Sequence, residues 1–199
     1  MYVRKFLLDH HIEWANSIKT PPQKEYTPKR ITKKDIQKAL SQAKNDLRIK
    51  AIILLGATSG LRAEELYQLE PKDMDLENRT IYVRHEPENR KTIKTKKNRV
   101  AFFNEEAQRI LKEYLEKTPY RVLFYKKGVL DAFKELPIQV KDLRKFFSQE
   151  WDRQGGPTSI KKILMGHSLK GDVDLMHYNY QSIEDLKRIY DKVAIKILN

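Results

Sequence analysis

The chain has 199 residues, which is enough for one domain, or for one domain with an appended segment. Lysine and arginine number 40 against 27 acidic residues, and the net charge of +13 favours a polyanionic partner. The absence of cysteine excludes disulfide frameworks, thiol catalysis and cysteine zinc sites, and no apolar run approaches the roughly 20 residues of a membrane span. These features predict an intracellular, cytoplasmic protein. An excess of lysine kept for solubility or thermal stability is the alternative explanation of the charge.

The first 30 residues predict a small unit of their own. Residues 2–18 predict a short helix, and the apolar members of that helix are Phe6, Leu7, Ile12, Trp14 and Ile18. Residues 19–30, "KTPPQKEYTPKR", contain three prolines among lysines and predict a linker. The segment has no adequate apolar region or cleavage site for a secretory signal. We therefore expect an N-terminal helix and linker at 1–30, a possible remnant of a DNA core-binding module, and a second domain at 31–199.

Helical patterns dominate the second domain. Thr32 is placed to cap a helix with Asp35 at its N3 position, and Ile36, Leu40 and Ala43 follow at helical spacing. A more apolar helix is expected over residues 48–57. Further helices are expected at 105–117, 139–151, 157–166 and 182–198.

Two segments alternate polar and apolar residues as strands do. Residues 79–86, "RTIYVRHE", and residues 98–103, "NRVAFF", flank the basic stretch "PENRKTIKTKK". The pair predicts a β-hairpin with a long basic tip. Residues 72–75, "KDMD", predict a turn. The fold class is therefore mainly α with a small antiparallel β-sheet.

Two arginines are predicted to lie on apolar helix faces. If Arg62 is placed on a helix, the residues that share its face are Glu65, Leu66 and Leu69. Arg144 lies beside the apolar residues Leu143, Phe147 and Trp151, with Lys141 one turn earlier. Desolvating a guanidinium is costly unless an anion is supplied, and a ligand can supply that anion. Pairing with a core carboxylate, or extension to the surface, is the alternative.

The C-terminal third contains residue types that suit phosphate chemistry. Gly166 ends a predicted helix directly before His167, and Tyr178 and Tyr180 follow the loop "SLKGDVDLM". A histidine can donate a hydrogen bond to a phosphoryl oxygen, and a tyrosine hydroxyl can attack phosphorus. A lone histidine is more often structural, and tyrosines more often pack at interfaces.

Residues 30–190 resemble the tyrosine recombinases of the phage-integrase type, most of all those of archaeal viruses and plasmids. The resemblance is carried, in order, by "TSGLRAEELYQL", "KTKKNRVAF", "KDLRKFF", and "LMGHS" followed by "HY". It implies the catalytic-domain fold of these DNA breaking-rejoining enzymes. It also implies site-specific recombination and viral genome integration by an archaeal mobile element.

The resemblance assigns roles to individual residues. Arg62 and Arg144 would clamp the scissile phosphate, His167 would add a third contact, and Glu65 would orient Arg62. Lys94 at the hairpin tip would protonate the leaving 5′ oxygen, with Lys96 as the alternative. The other basic residues of the tip would contact phosphates, and these are Arg90, Lys91, Lys97 and Arg99.

The sequence departs from the family pattern at two places. Lys141 stands where a histidine is usual; a lysine can donate to a phosphate oxygen but is a poor base at neutral pH. The long loop after His167 leaves two candidate nucleophiles, of which Tyr178 is preferred because it lies in the "HY" pair, and Tyr180 is the alternative.

The implied reaction cleaves and rejoins double-stranded DNA through a covalent 3′-phosphotyrosine, with no cofactor, no metal and no small-molecule substrate. The family implies a homotetramer on DNA, joined by the C-terminal helix. The apolar stripe of that helix suits docking on the same chain equally well. There are two alternative functions. One is DNA binding without catalysis by a protein of the same fold, and the other is the activity of a type IB-like topoisomerase.

Overall fold

The structure is a computed structural model that describes residues 2–19, 29–89, 91–93, 95–117, 122–167 and 182–198. The helices are α1 (Tyr2–Asp9), α2 (Lys33–Gln42), α3 (Leu47–Ser59), α4 (Ala63–Tyr67), α5 (Glu105–Glu116), α6 (Lys126–Phe133), α7 (Val140–Arg153), α8 (Thr158–Met165) and α9 (Ile183–Val193). The strands are β1 (Met74–Asp75), β2 (Thr80–Val83) and β3 (Arg99–Phe102). Within these residues, no helix combines the length and the apolarity that crossing a bilayer requires.

Helix α3 forms the centre of the core. Ten of its 13 residues are buried, and it packs against α5 and α7. The helix ends at Gly60, whose φ of 66° lies in the left-handed region that glycine adopts without strain. Gly56 allows α7 to approach closely, because a Cβ atom there would lie 2.7 Å from Cδ1 of Leu143. The chain that leaves α3 therefore emerges at α7, where Arg144 lies.

The predicted hairpin is confirmed, and it belongs to a three-stranded antiparallel sheet in the order β1-β2-β3. In the register, Ile81 of β2 pairs with Ala101 of β3 and with Met74 of β1. The prediction of a turn at residues 72–75 was wrong in part. A 3₁₀ turn spans Pro71–Asp73, and residues 74 and 75 then add an edge strand.

The capping prediction for α2 is confirmed, because Thr32 and Asp35 form a reciprocal capping box. The N-terminal helix is shorter than predicted. It ends at Asp9, His11 takes a φ of 57°, and a separate 3₁₀ turn spans Glu13–Ser17. Helix α6 was not predicted.

Helix α9 packs on its own chain. Leu186, Tyr190 and Val193 are buried, and the Tyr190 hydroxyl donates to the carbonyl oxygen of Thr58 at 2.9 Å. The helix ends at Val193, earlier than predicted, and a non-helical tail follows. Glu106 accepts hydrogen bonds from the backbone N–H groups of Ile197 and Leu198, both at 2.9 Å. Of the two arrangements that the sequence left open, this structure shows docking on the same chain.

Candidate active site

Three arginines from different parts of the chain converge on the end of α8. They donate to three successive carbonyl oxygens: Arg99 to Leu164 at 2.9 Å, Arg144 to Met165 at 2.8 Å, and Arg62 to Gly166 at 2.8 Å. The last carbonyl groups of a helix have no partner within it and carry partial negative charge. The end of α8 therefore holds three guanidinium groups together.

Gly166 turns the chain at this point. It adopts a φ of 65°, its N–H donates to Ile163, and the N–H of His167 donates to Lys162, each at 2.9 Å, as in a Schellman ending. A Cβ atom at position 166 would lie 2.9 Å from Cδ of Arg99. Glycine is thus needed for both the turn and the close approach, and the turn places His167 directly after the arginine cluster.

Arg62 does not lie on a helix face, which corrects the sequence prediction. It is the N-cap residue of α4, with a ψ of 153°, and Glu65 occupies N3. The Glu65 carboxylate accepts from the backbone N–H of Arg62 at 2.7 Å and from its guanidinium at 2.9 Å. The contact between the two residues is therefore present, while the orienting role of Glu65 stays a prediction.

Arg144 differs from the other two arginines because it bonds no carboxylate among the described residues. Its guanidinium is half-buried and donates to the carbonyl oxygens of Gly60 at 2.6 Å and Met165 at 2.8 Å. Among the described residues it forms no ion pair. Burial, and then the positive charge of Arg62, lowers the pKa of Arg144 to about 10, so it still carries its charge at neutral pH.

Glu65 is the buried carboxylate of the cluster, with 6% of its surface exposed. Besides Arg62, it binds Arg99 through two parallel hydrogen bonds of 3.0 and 2.7 Å. Burial acts to raise the pKa of Glu65, but the hydrogen bonds and charges of Arg99 and Arg62 outweigh it and lower the pKa overall. Glu65 is therefore ionised at neutral pH.

His167 and Lys141 lie at the edge of the cluster. His167 is exposed, and partial desolvation of its ring, followed by the charges of Arg144 and Arg62, lowers its pKa. The imidazole is therefore mostly neutral at pH 7. Lys141 is exposed on the first turn of α7, one turn before Arg144 and on the same side of the helix.

The hairpin differs from the prediction at Lys91 and Arg99, which were expected to contact DNA phosphates. Lys91 is 7% exposed, and its ammonium pairs with Asp73 at 2.5 Å and Glu70 at 3.1 Å. The Arg99 side chain is 7% exposed and is held by Glu65. Both side chains are buried as well as paired, which argues against the predicted phosphate contacts.

The remaining predicted residues divide into two groups. Lys96 and Lys97 are exposed on the hairpin, where a polyanion can reach them. The predicted residues that lie outside the described residues are Arg90, Lys94, Tyr178 and Tyr180. The structure thus brings together Arg62, Arg144 and His167, and the predicted nucleophile and general acid are not placed.

Sequence reasoning missed the structural role of Arg99, although a signal was present. Alternation along β3 places Arg99 on the same face as Ala101, which is fully buried. An arginine on the inner face of a strand needs a buried acid, and the first motif offered Glu65 as a candidate. Within the described residues, no group of three or more histidine, aspartate or glutamate side chains is arranged to hold a metal ion.

Known proteins resemble this chain over most of its length. A family model described as "Phage integrase family" matches residues 29–179, which is more than half of the chain. The chain belongs to the phage integrase family. The tyrosine recombinase XerA of Saccharolobus solfataricus is 29% identical over 202 residues, covering 96% of this chain and 64% of that protein. A probable integrase/recombinase of Acholeplasma phage L2 is 28% identical over 160 residues, covering 80% of this chain and 50% of that protein. The chain thus spans between half and two-thirds of the length of these relatives.

Solved structures of family members have the same fold. A crystal structure of XerA recombinase aligns with a TM-score of 0.60 and 20% identity over 97% of this chain and 76% of that one. The Tn1549 transposon integrase, in complex with transposon right end DNA, aligns with a TM-score of 0.55 and 17% identity over 88% of this chain and 68% of that one. The predicted fold class is therefore confirmed, and the expected kinship with archaeal members agrees with the match to XerA of S. solfataricus.

Proposed function

We propose that this phage integrase family chain cleaves and rejoins double-stranded DNA at a specific site through a tyrosine ester. The observation that carries the proposal is Arg144, a half-buried guanidinium that hydrogen-bonds only carbonyl oxygens among the described residues. A buried charge without a counter-ion is costly. A DNA phosphate would supply that anion beside Arg62.

The arginine cluster has N–H donors that no described hydrogen bond uses, and these can bind a phosphate. A guanidinium carries five N–H donors in a planar fork, and the described hydrogen bonds of Arg62 and Arg144 use two on each side chain. The remaining donors can engage the non-bridging oxygens and stabilise the extra charge of a pentacoordinate transition state. Because carbonyl oxygens already fix both side chains, little reorganisation is needed when the phosphate arrives.

The neighbouring residues would complete the reaction. The Tyr178 hydroxyl would lose its proton to solvent as its oxygen forms a bond to phosphorus and the bond to the 5′ oxygen breaks, and Lys94, or Lys96 as the alternative, would give the 5′ oxygen a proton. His167 would donate a hydrogen bond to a non-bridging oxygen, as a mostly neutral imidazole can. Lys141 would donate a further hydrogen bond to the phosphate from its ammonium group.

The proposed substrate is DNA, supported by the net charge and by the relatives. The chain carries a net charge of +13, and Lys96 and Lys97 are exposed on the hairpin. The Tn1549 transposon integrase of the same fold is described in complex with DNA. A homotetramer on DNA stays a prediction, since the buried face of α9 is docked on its own chain here.

A second candidate function is DNA binding without catalysis. It is favoured by Lys141, which replaces the usual histidine beside Arg144. The two candidates share the fold and the partner, and they differ only in whether a covalent intermediate forms.

Arg144→Met tests the proposal, with Arg153→Met as the matched control on the same helix. Arg153 is 42% exposed and pairs with Glu150 at the far end of α7. A pool of nicked duplexes with a randomised segment is incubated with each protein, and DNA that stays attached after denaturation is recovered and sequenced. We expect the unaltered protein and Arg153→Met to select the same site, and Arg144→Met to lose about 10² or more in adduct yield. Equal yields from both variants would contradict the assignment of Arg144.

A further inference from the structure

Arg99 makes more contacts inside the site than the catalytic arginines do. Its guanidinium binds both carboxylate oxygens of Glu65, and its Nε donates to the carbonyl oxygen of Leu164 at 2.9 Å. The stem of the side chain packs against Gly166, where a Cβ atom would lie 2.9 Å from Cδ. With its side chain 7% exposed, Arg99 joins α4 to the end of α8 from within the protein.

The two arginines share the oxygens of Glu65. One oxygen accepts from the guanidinium of Arg62 at 2.9 Å and from that of Arg99 at 3.0 Å. The other accepts from the backbone N–H of Arg62 and from Arg99, both at 2.7 Å. Arg62 and Arg99 are therefore linked through both oxygens of the same carboxylate.

The same side chain also fixes where α8 ends relative to Glu65. Arg99 holds Leu164, and Arg62 holds Gly166 two residues later. His167 follows directly. Any shift of Arg99 would thus move the guanidinium of Arg62 and the imidazole of His167 relative to each other.

We propose that Arg99 is a positioning residue for DNA cleavage, which acts through Glu65 on Arg62 and through α8 on His167 and does not itself bind a phosphate. The inference rests on the proposed function, because it concerns the geometry of the same reaction. Misplacing a catalytic group by about 1 Å can cost about 10²-fold in rate. DNA affinity depends on exposed cations and should change little.

The test compares Arg99→Met and Arg99→Lys with Lys97→Met as the matched control. Lys97 is an exposed cation two residues earlier on the same hairpin arm. Arg99→Lys keeps the charge and one contact to Glu65, so it reports on positioning even if Arg99→Met folds poorly. Each protein is measured for DNA affinity at several salt concentrations and for single-turnover cleavage of the selected site.

Cleavage is measured on two substrates, one with the natural scissile phosphate and one with a methylphosphonate at that position. The methylphosphonate lacks one charged non-bridging oxygen, so its cleavage depends less on a well-placed guanidinium. A variant that misplaces Arg62 should therefore lose more cleavage rate on the natural phosphate than on the methylphosphonate. The same two rates measured for Arg62→Ala give the difference expected when the guanidinium is absent.

We expect Arg99→Met to lose about 10²-fold on the phosphate and less than about tenfold on the methylphosphonate, with Arg99→Lys shifted the same way to a smaller extent. Lys97→Met should weaken binding and leave the ratio of the two rates unchanged. Equal losses on both substrates would overturn the inference in favour of a purely structural role. A weaker affinity and a salt slope lower by about one, with the rate ratio unchanged, would overturn it in favour of a phosphate contact.

A failure of the proposed function would give a different experimental result from a failure of this inference. If the unaltered protein forms no adduct with any member of the duplex pool, the proposed function falls and this inference falls with it. If the unaltered protein cleaves and Arg99→Met keeps the unaltered ratio, only this inference is overturned.

Discussion

Replacing Glu65 by glutamine should destabilise the fold strongly. The change keeps the size of the side chain and removes its charge between two guanidinium groups. It also turns one oxygen into an NH₂ group. If that group faces the backbone N–H of Arg62 and the guanidinium of Arg99, both now at 2.7 Å, donors oppose donors and two hydrogen bonds are lost.

The magnitude follows from burial and charge. Hydrogen bonds to charged groups contribute about 1.5–3 kcal/mol each, and breaking a buried ion pair by removing one partner costs about 3–5 kcal/mol. Glu65 is 6% exposed, so solvent screens these contacts little. We expect the free energy of unfolding at pH 7 to fall by about 3–5 kcal/mol.

The pH dependence has a definite sign. The folded protein lowers the pKa of Glu65, so the ionised carboxylate stabilises the fold above its unfolded pKa of about 4.3. That stabilisation is lost as the pH falls through the lower folded pKa. The difference between the unaltered protein and Glu65→Gln should therefore be complete at pH 7 and shrink in acid.

Urea unfolding followed by far-UV circular dichroism measures both effects, with Glu64→Gln as the control. Glu64 precedes Glu65 on the same helix, and its side chain is 61% exposed in a surface pair with Lys126. Removing the charge of Glu64 should change the free energy of unfolding by less than about 1 kcal/mol. If Glu65→Gln and Glu64→Gln proved equally stable, the buried carboxylate would not hold the arginine cluster together.

Three further results are expected. DNA affinity, measured by fluorescence anisotropy, should fall roughly tenfold or more between about 50 and 200 mM salt, and an affinity independent of salt would argue against phosphate contacts. Gly60→Ala should cost about 3 kcal/mol in urea unfolding, because φ is +66° and the new Cβ would lie 2.5 Å from the Phe147 ring. Gly155→Ala, also at positive φ but with no described heavy atom within 4 Å, should cost about 1 kcal/mol, and equal costs would refute the steric argument. In an NMR titration, His167 should titrate below its ordinary pKa in the free protein and at higher pH when DNA phosphate is bound, whereas an unchanged value on DNA would place the phosphate elsewhere.

Local sequence patterns predicted most of the helices and the hairpin because their signals lie within a few residues. The capping box at Thr32 is one such signal, and the alternation around Ile81 is another. Helix α6 escaped prediction because it is short and contains Gly128, a weak helix former. The helical pattern that begins at residue 62 was recognised, but the role of Arg62 as the N-cap was not.

The partners of the buried cations were harder to predict because they lie far apart in the chain. Arg99 meets Glu65 from 34 residues away, and Arg62 meets Gly166 from 104 residues away. The basic residues of the hairpin tip were therefore all expected to reach DNA. The fold separates it into exposed lysines and two buried cations, Lys91 and Arg99, that hold the hairpin and α8 in place.

The covalent intermediate is the most direct test of the proposed function. A nicked duplex that carries the selected site is incubated with the unaltered protein, Tyr178→Phe and Tyr180→Phe, and each sample is denatured. We expect a DNA adduct from the unaltered protein and from Tyr180→Phe, and none from Tyr178→Phe, which should still bind the duplex. An adduct from Tyr178→Phe but not from Tyr180→Phe would move the nucleophile to Tyr180. No adduct from the unaltered protein would contradict DNA cleavage and favour a protein that only binds DNA.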